Sequence, residues 1–126
     1  MTFSLTRYNY VVTLLDLQRF GKAKALLRKT TPVARRVLGQ NHELVLEMRW
    51  SYGVALYDDD GATLDDLREA VTTLEDATRT ARRVLGGAHP LTSAIEGDLR
   101  NARATRARET PPPRRTSPHL PPPGSA

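Results

Sequence analysis

One nine-residue phrase is written twice in this chain, and it constrains the fold more than any other feature. Ala34-Arg35-Arg36-Val37-Leu38-Gly39-Gln40-Asn41-His42 returns as Ala81-Arg82-Arg83-Val84-Leu85-Gly86-Gly87-Ala88-His89, an offset of 47 residues. Each copy reads as the last turns of a helix, then a stop and a restart. Paired arginines favour a helix C-terminus through the macrodipole, Val-Leu supplies a buried anchor, and Gly takes the left-handed cap. Pro90 follows the second copy where a new helix would start, a position at which its missing N–H costs nothing. A repeat of this length built from two helices predicts a helical solenoid.

At 126 residues the chain suffices for one small domain. Aromatics are only 6% of it, so the core must rest on Leu, Val and Ala. The absence of cysteine removes disulfides, Cys-ligated zinc and thiol catalysis together, and fits a reducing, cytoplasmic setting. No apolar run approaches the length of a membrane span, and Met1 to Thr6 lacks the basic start and apolar core of a secretory leader. The net charge of +5 reads as a solvated surface.

Apolar periodicity divides the chain into five helices. Residues 4–18 form the first, with Tyr10, Val11, Leu14, Leu15 and Leu17 on its apolar side and Gly21 marking the turn. Lys22 to Leu38 carries the second, whose buried stripe is Ala23, Leu26, Leu27, Thr30, Val33, Val37 and Leu38. Pro32 lies inside it and removes one ladder bond. The third runs from Glu43 to Tyr57 through Leu46, Trp50, Gly53, Val54, Leu56 and Tyr57. Asp58 to Ala62 interrupts as an acidic loop. Thr63 with Asp66 three residues on resembles a capping box, opening a fourth helix from Leu64 to Leu85. That helix buries Leu67, Ala70, Val71, Leu74, Ala77, Ala81 and Val84. A fifth runs from Pro90 to about Arg106 through Ile95, Leu99 and Ala102, with an arginine-rich, wet outer face. From residue 108 onward proline dominates, and a disordered tail of polyproline II character is expected over 108–126.

These residues resemble the tetratricopeptide repeat of the kinesin light chain type, whose unit is roughly 42 residues. The markers are the A-R-R-V-L-G-x-x-H joint, His-Pro entering the next helix, and small and large side chains at fixed distances. In the first helix of each unit the pattern falls on Tyr10, Val11 and Leu14, then Tyr52, Gly53 and Leu56, then Leu99, Arg100 and Arg103. In the second helix it falls on Ala23, Leu27 and Thr30, then Ala70, Leu74 and Ala77. Extra residues around Asp58–Ala62 account for the longer offset. The resemblance implies an all-α, short right-handed α-solenoid of antiparallel helix pairs, about two and a half repeats long. Its repeats would span about 4–41 and 42–88, with a terminal capping helix over 90–107. In such a stack the first helix of each pair lines the concave side. The resemblance puts the groove on Tyr8, Val12 and Leu15, then Trp50, Val54 and Tyr57, then Gly97, Asn101 and Ala104. Asn9 stands where related repeats hold a peptide backbone, and Ser51 and Asp98 replace it later.

Other constellations carry less. His42 and His89 recur with the repeat, and a residue duplicated in every unit reads as a loop anchor for the helix joint; no nucleophile stands at triad spacing. Asp58-Asp59-Asp60-Gly61 invites a calcium loop, but Leu56 and Leu67 occupy the positions of its first and last ligands, so that reading fails. Arg28, Arg35, Arg36, Arg79, Arg82 and Arg83 form a stripe along the paired second helices, extended by Arg100, Arg103, Arg106 and Arg108. Nucleic acid could use it through phosphates, yet no aromatics are interleaved and Glu69, Glu75, Asp76, Glu96 and Asp98 dilute it. In the tail, Arg115, Ser117, Pro118 and Pro121 have the spacing of a polyproline ligand, and Arg114-Arg115-Thr116-Ser117 resembles a kinase substrate.

The expectation is a non-catalytic scaffold for protein or peptide, without cofactor or metal and without a membrane partner. The binding surface would run across Tyr8, Asn9, Val12, Trp50, Val54, Tyr57 and Asn101. Arg-mediated nucleic-acid binding is the weaker alternative. Three or more repeats are usually wanted for independent stability. With fewer, the chain reads as a fragment, as one half of a homo-oligomer, or as the end of a larger partner solenoid.

Overall fold

The computed structural model describes residues 12–109. Among the described residues five helices follow one another: α1, seen over 12–16, α2 (Phe20–Leu38), α3 (Glu43–Tyr57), α4 (Leu64–Val84) and α5 (Pro90–Glu109). Sequence neighbours pack together, α2 on α3, α3 on α4 and α4 on α5, and α3 also touches α5. The fold is all-α, built from sequence-adjacent helix pairs in the manner of a tetratricopeptide array.

Two apolar clusters hold it together. Leu14, Ala23, Leu27, Ala34, Val45, Met48 and Ala55 join α1, α2 and α3. The second cluster joins α3, α4 and α5 through Leu46, Leu56, Leu67, Val71, Leu74, Ile95 and Leu99, among others. α3 therefore lies between them and is apolar on nearly every side, the signature of a helix enclosed by its neighbours. Reading one face of α3 found Leu46, Gly53 and Leu56, all buried, but missed Val45, Met48 and Ala55 on its other side.

The repeated phrase folds the same way twice. Gly39 and Gly86 adopt φ of +94° and +91°, backbone that favours glycine. His42 N–H donates to the Gly39 carbonyl at 3.2 Å and His89 N–H to the Gly86 carbonyl at 3.3 Å. The histidine rings then cap the following helices. Nδ1 of His42 accepts from Leu44 N–H at 3.1 Å, and Nδ1 of His89 accepts from Leu91 N–H at 3.0 Å. Each imidazole thereby satisfies one of the free donors of a helix start. The anchor of the joint is leucine alone: Leu38 and Leu85 are half-buried, whereas Val37 and Val84, expected inside, are 48% and 40% exposed.

The first turn also departs from expectation. Gly21 is already helical, and the chain reverses instead at Gln18, whose φ is +58°. Arg19 N–H reaches the Leu14 carbonyl at 2.7 Å and Gln18 N–H the Leu15 carbonyl at 2.9 Å. That is the Schellman pattern, in which looped-back donors satisfy the last carbonyls of a helix. Leu17 falls in this turn, beyond the helical face, and is 62% exposed.

The capping box at α4 is formed. Thr63 Oγ1 accepts from Asp66 N–H at 3.1 Å, and Asp66 Oδ2 accepts from Thr63 N–H at 3.1 Å. The Thr63 backbone donor, with Lys24 close by, holds the Asp66 carboxyl below the usual range. α5 continues to Glu109, past the expected end near Arg106. Its Leu91, Thr92, Ile95, Leu99 and Ala102 are buried, and Arg100, Arg103 and Arg108 face solvent.

Candidate functional site

Trp50, Val54 and Tyr57 recur at intervals of four and three on α3, which sets them along one face. All three border the cluster shared with α4 and α5. Asp98 on α5 meets this face. The Trp50 indole N–H donates to Asp98 Oδ2 at 2.6 Å, and the Tyr57 hydroxyl donates to Asp98 Oδ1. One carboxylate thus collects two aromatic donors from α3 and fixes α3 against α5. Charge on the acceptor makes such bonds stronger than neutral ones.

Of the expected groove residues, Trp50 and Val54 are half-buried. Val12 is 36% exposed and Tyr57 9% exposed, while Asn101 faces solvent. Tyr8 and Asn9 lie outside the described residues, as do Arg115, Ser117, Pro118 and Pro121 of the tail. Burial, followed by the hydrogen bond to the Asp98 carboxylate, raises the Tyr57 hydroxyl far above its ordinary value, with Asn101 acting in the opposite sense. Burial likewise raises Asp58 next to it, with Asp98 and Asp60 adding to the effect.

The Tyr57 shift carries a stability prediction with a definite sign. An unfolded tyrosine ionises near pH ~10, while the folded one keeps its proton beyond that. Its stabilising contribution is complete below about pH 10 and is lost as pH rises from there toward the folded value. The urea midpoint of the wild type should therefore fall above pH ~10. Tyr57→Phe should fall less steeply over the same interval; equal slopes would remove Tyr57 as the cause. Tyr52 is raised as well, by burial and then Glu69, so some slope should remain in the variant.

A second arrangement lies on the opposite side of α3. Arg28 of α2 donates through Nη2 and Nε to the Tyr52 hydroxyl at 2.8 and 3.1 Å. That hydroxyl donates onward to Glu69 Oε2 of α4 at 2.6 Å. The Arg28 guanidinium carbon also lies 5.7 Å from the Tyr52 ring centroid, within cation–π range. This chain bridges three helices at one end of a cleft between α2 and α4.

Part of the arginine stripe is paired with carboxylates. Arg82 bonds Glu96, Arg79 bonds Asp76, Arg103 reaches Glu75 at 2.8 Å and Arg28 reaches Glu69 at 3.4 Å. Pairing of this kind lowers the field available to a polyanion. No helix among the described residues is long and apolar enough to cross a membrane.

Comparison with known families places the first unit. Residues 5–43 match the family model of the tetratricopeptide repeat. They are a tetratricopeptide repeat. The kinesin light chain type inferred from the joint and from the small and large positions is the type that matches. Within the described part of this repeat, its pattern positions Leu14, Ala23, Leu27 and Thr30 are buried. The corresponding Gly53, Leu56, Ala70, Leu74 and Ala77 of the following pair are buried too. No curated protein and no solved structure matches the chain. A tetratricopeptide repeat is a protein–protein interaction module and is typically non-catalytic, so protein partners are the general implication of the match.

Sequence reasoning singled out Trp50 and Tyr57 but read Asp98 only as a substituted asparagine and as one of the acids that dilute the arginine stripe. It did not single out Arg49 or Thr31. The signal for Arg49 was present: it is the sole cation in a helix that is mostly apolar apart from Glu43, Glu47 and Ser51.

Proposed function

We propose that the chain is a non-catalytic scaffold that holds a peptide or partner surface against the face formed by the first helix of each pair. The face comprises Val12 of α1, Trp50 and Val54 of α3 and Asn101 of α5, with Tyr8 and Asn9 as further candidates. Tyr57 supports it from below. The observation that carries this reading is the Asp98 clamp. It orients Trp50 and leaves a half-exposed indole beside Val54. An oriented aromatic loses little conformational entropy on binding, which is why such side chains dominate interfaces.

Affinity capture with wild type beside Trp50→Ala and Trp50→Phe is the test. Trp50→Ala should lose a captured peptide by about tenfold or more, as expected of an interface hot spot of roughly 2 kcal/mol. Trp50→Phe keeps the apolar ring and removes the N–H, so it should retain more affinity than the alanine variant. Capture unchanged by Trp50→Ala, in a variant whose circular dichroism is native, would sink the reading. The competing Arg-mediated mode predicts instead a steep loss of affinity with salt, and the ion pairs along the stripe count against it.

A further inference from the structure

The cleft between α2 and α4 has a volume of about 700 Å³ and shares no lining residue with the Trp50 face. Five arginines line it against two carboxylates. Both carboxylates are engaged, Glu69 by Tyr52 and Arg28 and Asp76 by Arg79. The cations that remain are Arg35, Arg83, which donates only to Asn41 at 3.3 Å, and Arg49.

Arg49 is the unusual one. It comes from the enclosed helix α3 and is 7% exposed. Its Nη1 has no hydrogen-bond partner, and neither does the buried Thr31 Oγ1 on the facing helix. Both residues line the same cleft. Buried polar groups are nearly always satisfied, so two orphans on one cavity are evidence for a missing partner. Burial, then the neighbouring Arg35 charge, lowers the Arg49 guanidinium from its ordinary value, with Asp76 acting in the opposite sense. Even so, an arginine stays charged in a protein. The one carboxylate that acts on it, Asp76, is already bonded by Arg79, and a charge buried this deeply is costly unless it is fully neutralised.

We propose that this cleft is an oxyanion site, in which a single phosphate or carboxylate group is held by the Arg49 guanidinium and the Thr31 hydroxyl, with Arg35 and Arg83 at its mouth. The guanidinium fork matches the planar or tetrahedral oxygen pairs of these groups in a way an ammonium does not. Thr31 contributes a hydroxyl donor from the first turn after the middle of α2, beside Pro32. The anion would bridge α2 to α3 and relieve the repulsion between Arg35 and Arg49. Such a site is independent of the Trp50 face, so the two can be tested and fail separately.

Thermal melting and calorimetric titration with inorganic phosphate and, separately, with citrate would test it, at fixed ionic strength maintained with chloride. At an anion concentration about five times its dissociation constant, the wild-type midpoint should rise by roughly 4–8 °C. Arg49→Met keeps the volume, removes the charge and should still fold, because apolar replacement of a buried ion is often neutral or stabilising. Its affinity for the anion should be lower by about tenfold or more. Thr31→Val and Arg35→Gln provide the same readout without touching Arg49, should Arg49→Met fail to fold. Phosphate binding alone assigns a phosphate group, citrate binding alone a carboxylate, and either one supports the site. A wild type that gains no more from either anion than from chloride overturns the proposal. So does an equal gain in Arg49→Met, and so does binding confined to a long single-stranded oligonucleotide and indifferent to both Arg49 and Thr31.

Discussion

Gly53→Val should destabilise the fold by about 3 kcal/mol, the upper end of what overpacking costs. A Cβ built on Gly53 falls 2.6 Å from Leu74 Cγ and 2.7 Å from its Cδ2. Leu74 is fully buried in the second cluster and has no open side to move into. The missing side chain at Gly53 is what leaves room for Leu74 of α4 against α3. Leu74→Ala should cost about 2–5 kcal/mol on its own, by the cavity it leaves. The informative experiment is the pair. With Leu74 truncated, the atoms that oppose a Cβ at Gly53 are gone. Gly53→Ala should then be tolerated, and even favoured by helix propensity at about 1 kcal/mol. Urea titration of Gly53→Ala, Leu74→Ala and the double variant should therefore reveal a coupling of the order of 1 kcal/mol or more. Strict additivity would mean that α3 and α4 separate freely and that the contact does not set their spacing.

Asp98→Ala should cost about 3 kcal/mol. It removes hydrogen bonds to a charged group, each worth roughly 1.5–3 kcal/mol, and strands the Tyr57 hydroxyl, whose burial without a partner costs about 1–3 kcal/mol. Trp50, only half-buried, can recover water, which keeps the total below the sum. In a Tyr57→Phe background the penalty should shrink, since the stranded hydroxyl is no longer there. Chemical denaturation of this cycle separates the clamp from simple surface charge, which would give nearly the same loss in both backgrounds. The clamp also predicts a functional consequence. Asp98→Ala should weaken peptide capture at the Trp50 face by releasing the indole from its orientation.

Much of the architecture was legible because its determinants are local. A repeated Ala-Arg-Arg-Val-Leu-Gly ending in His, a Thr-x-x-Asp box and a proline at a helix start each act over a few residues. The structure accordingly has caps at His42, Thr63 and His89 and stops at Gly39 and Gly86. The stripe from Leu67 to Ala81 was readable for the same reason, since one face of α4 meets the core and the other meets water. Where reading failed, the cause was equally physical. Gln18 makes the turn assigned to Gly21 because returning hydrogen bonds to Leu14 and Leu15 can stabilise a backbone that side chains usually avoid. Periodicity could not register that α3 is buried from two directions, because a helix enclosed on both sides has no polar face to give it phase.

The functional surfaces divide along the same line. Residue type and spacing alone mark out the helix pairs, the close approach at Gly53, and Trp50 and Tyr57 as partners on one face, for these depend on positions within a turn or two. Only the tertiary structure brings Asp98 to Trp50 across 48 positions of chain and sets Arg49 and Thr31 on the lining of a shared cleft. Which charge finds a partner and which is left without one is decided by the packing of separate helices. No single stretch of sequence contains the geometry of its neighbours.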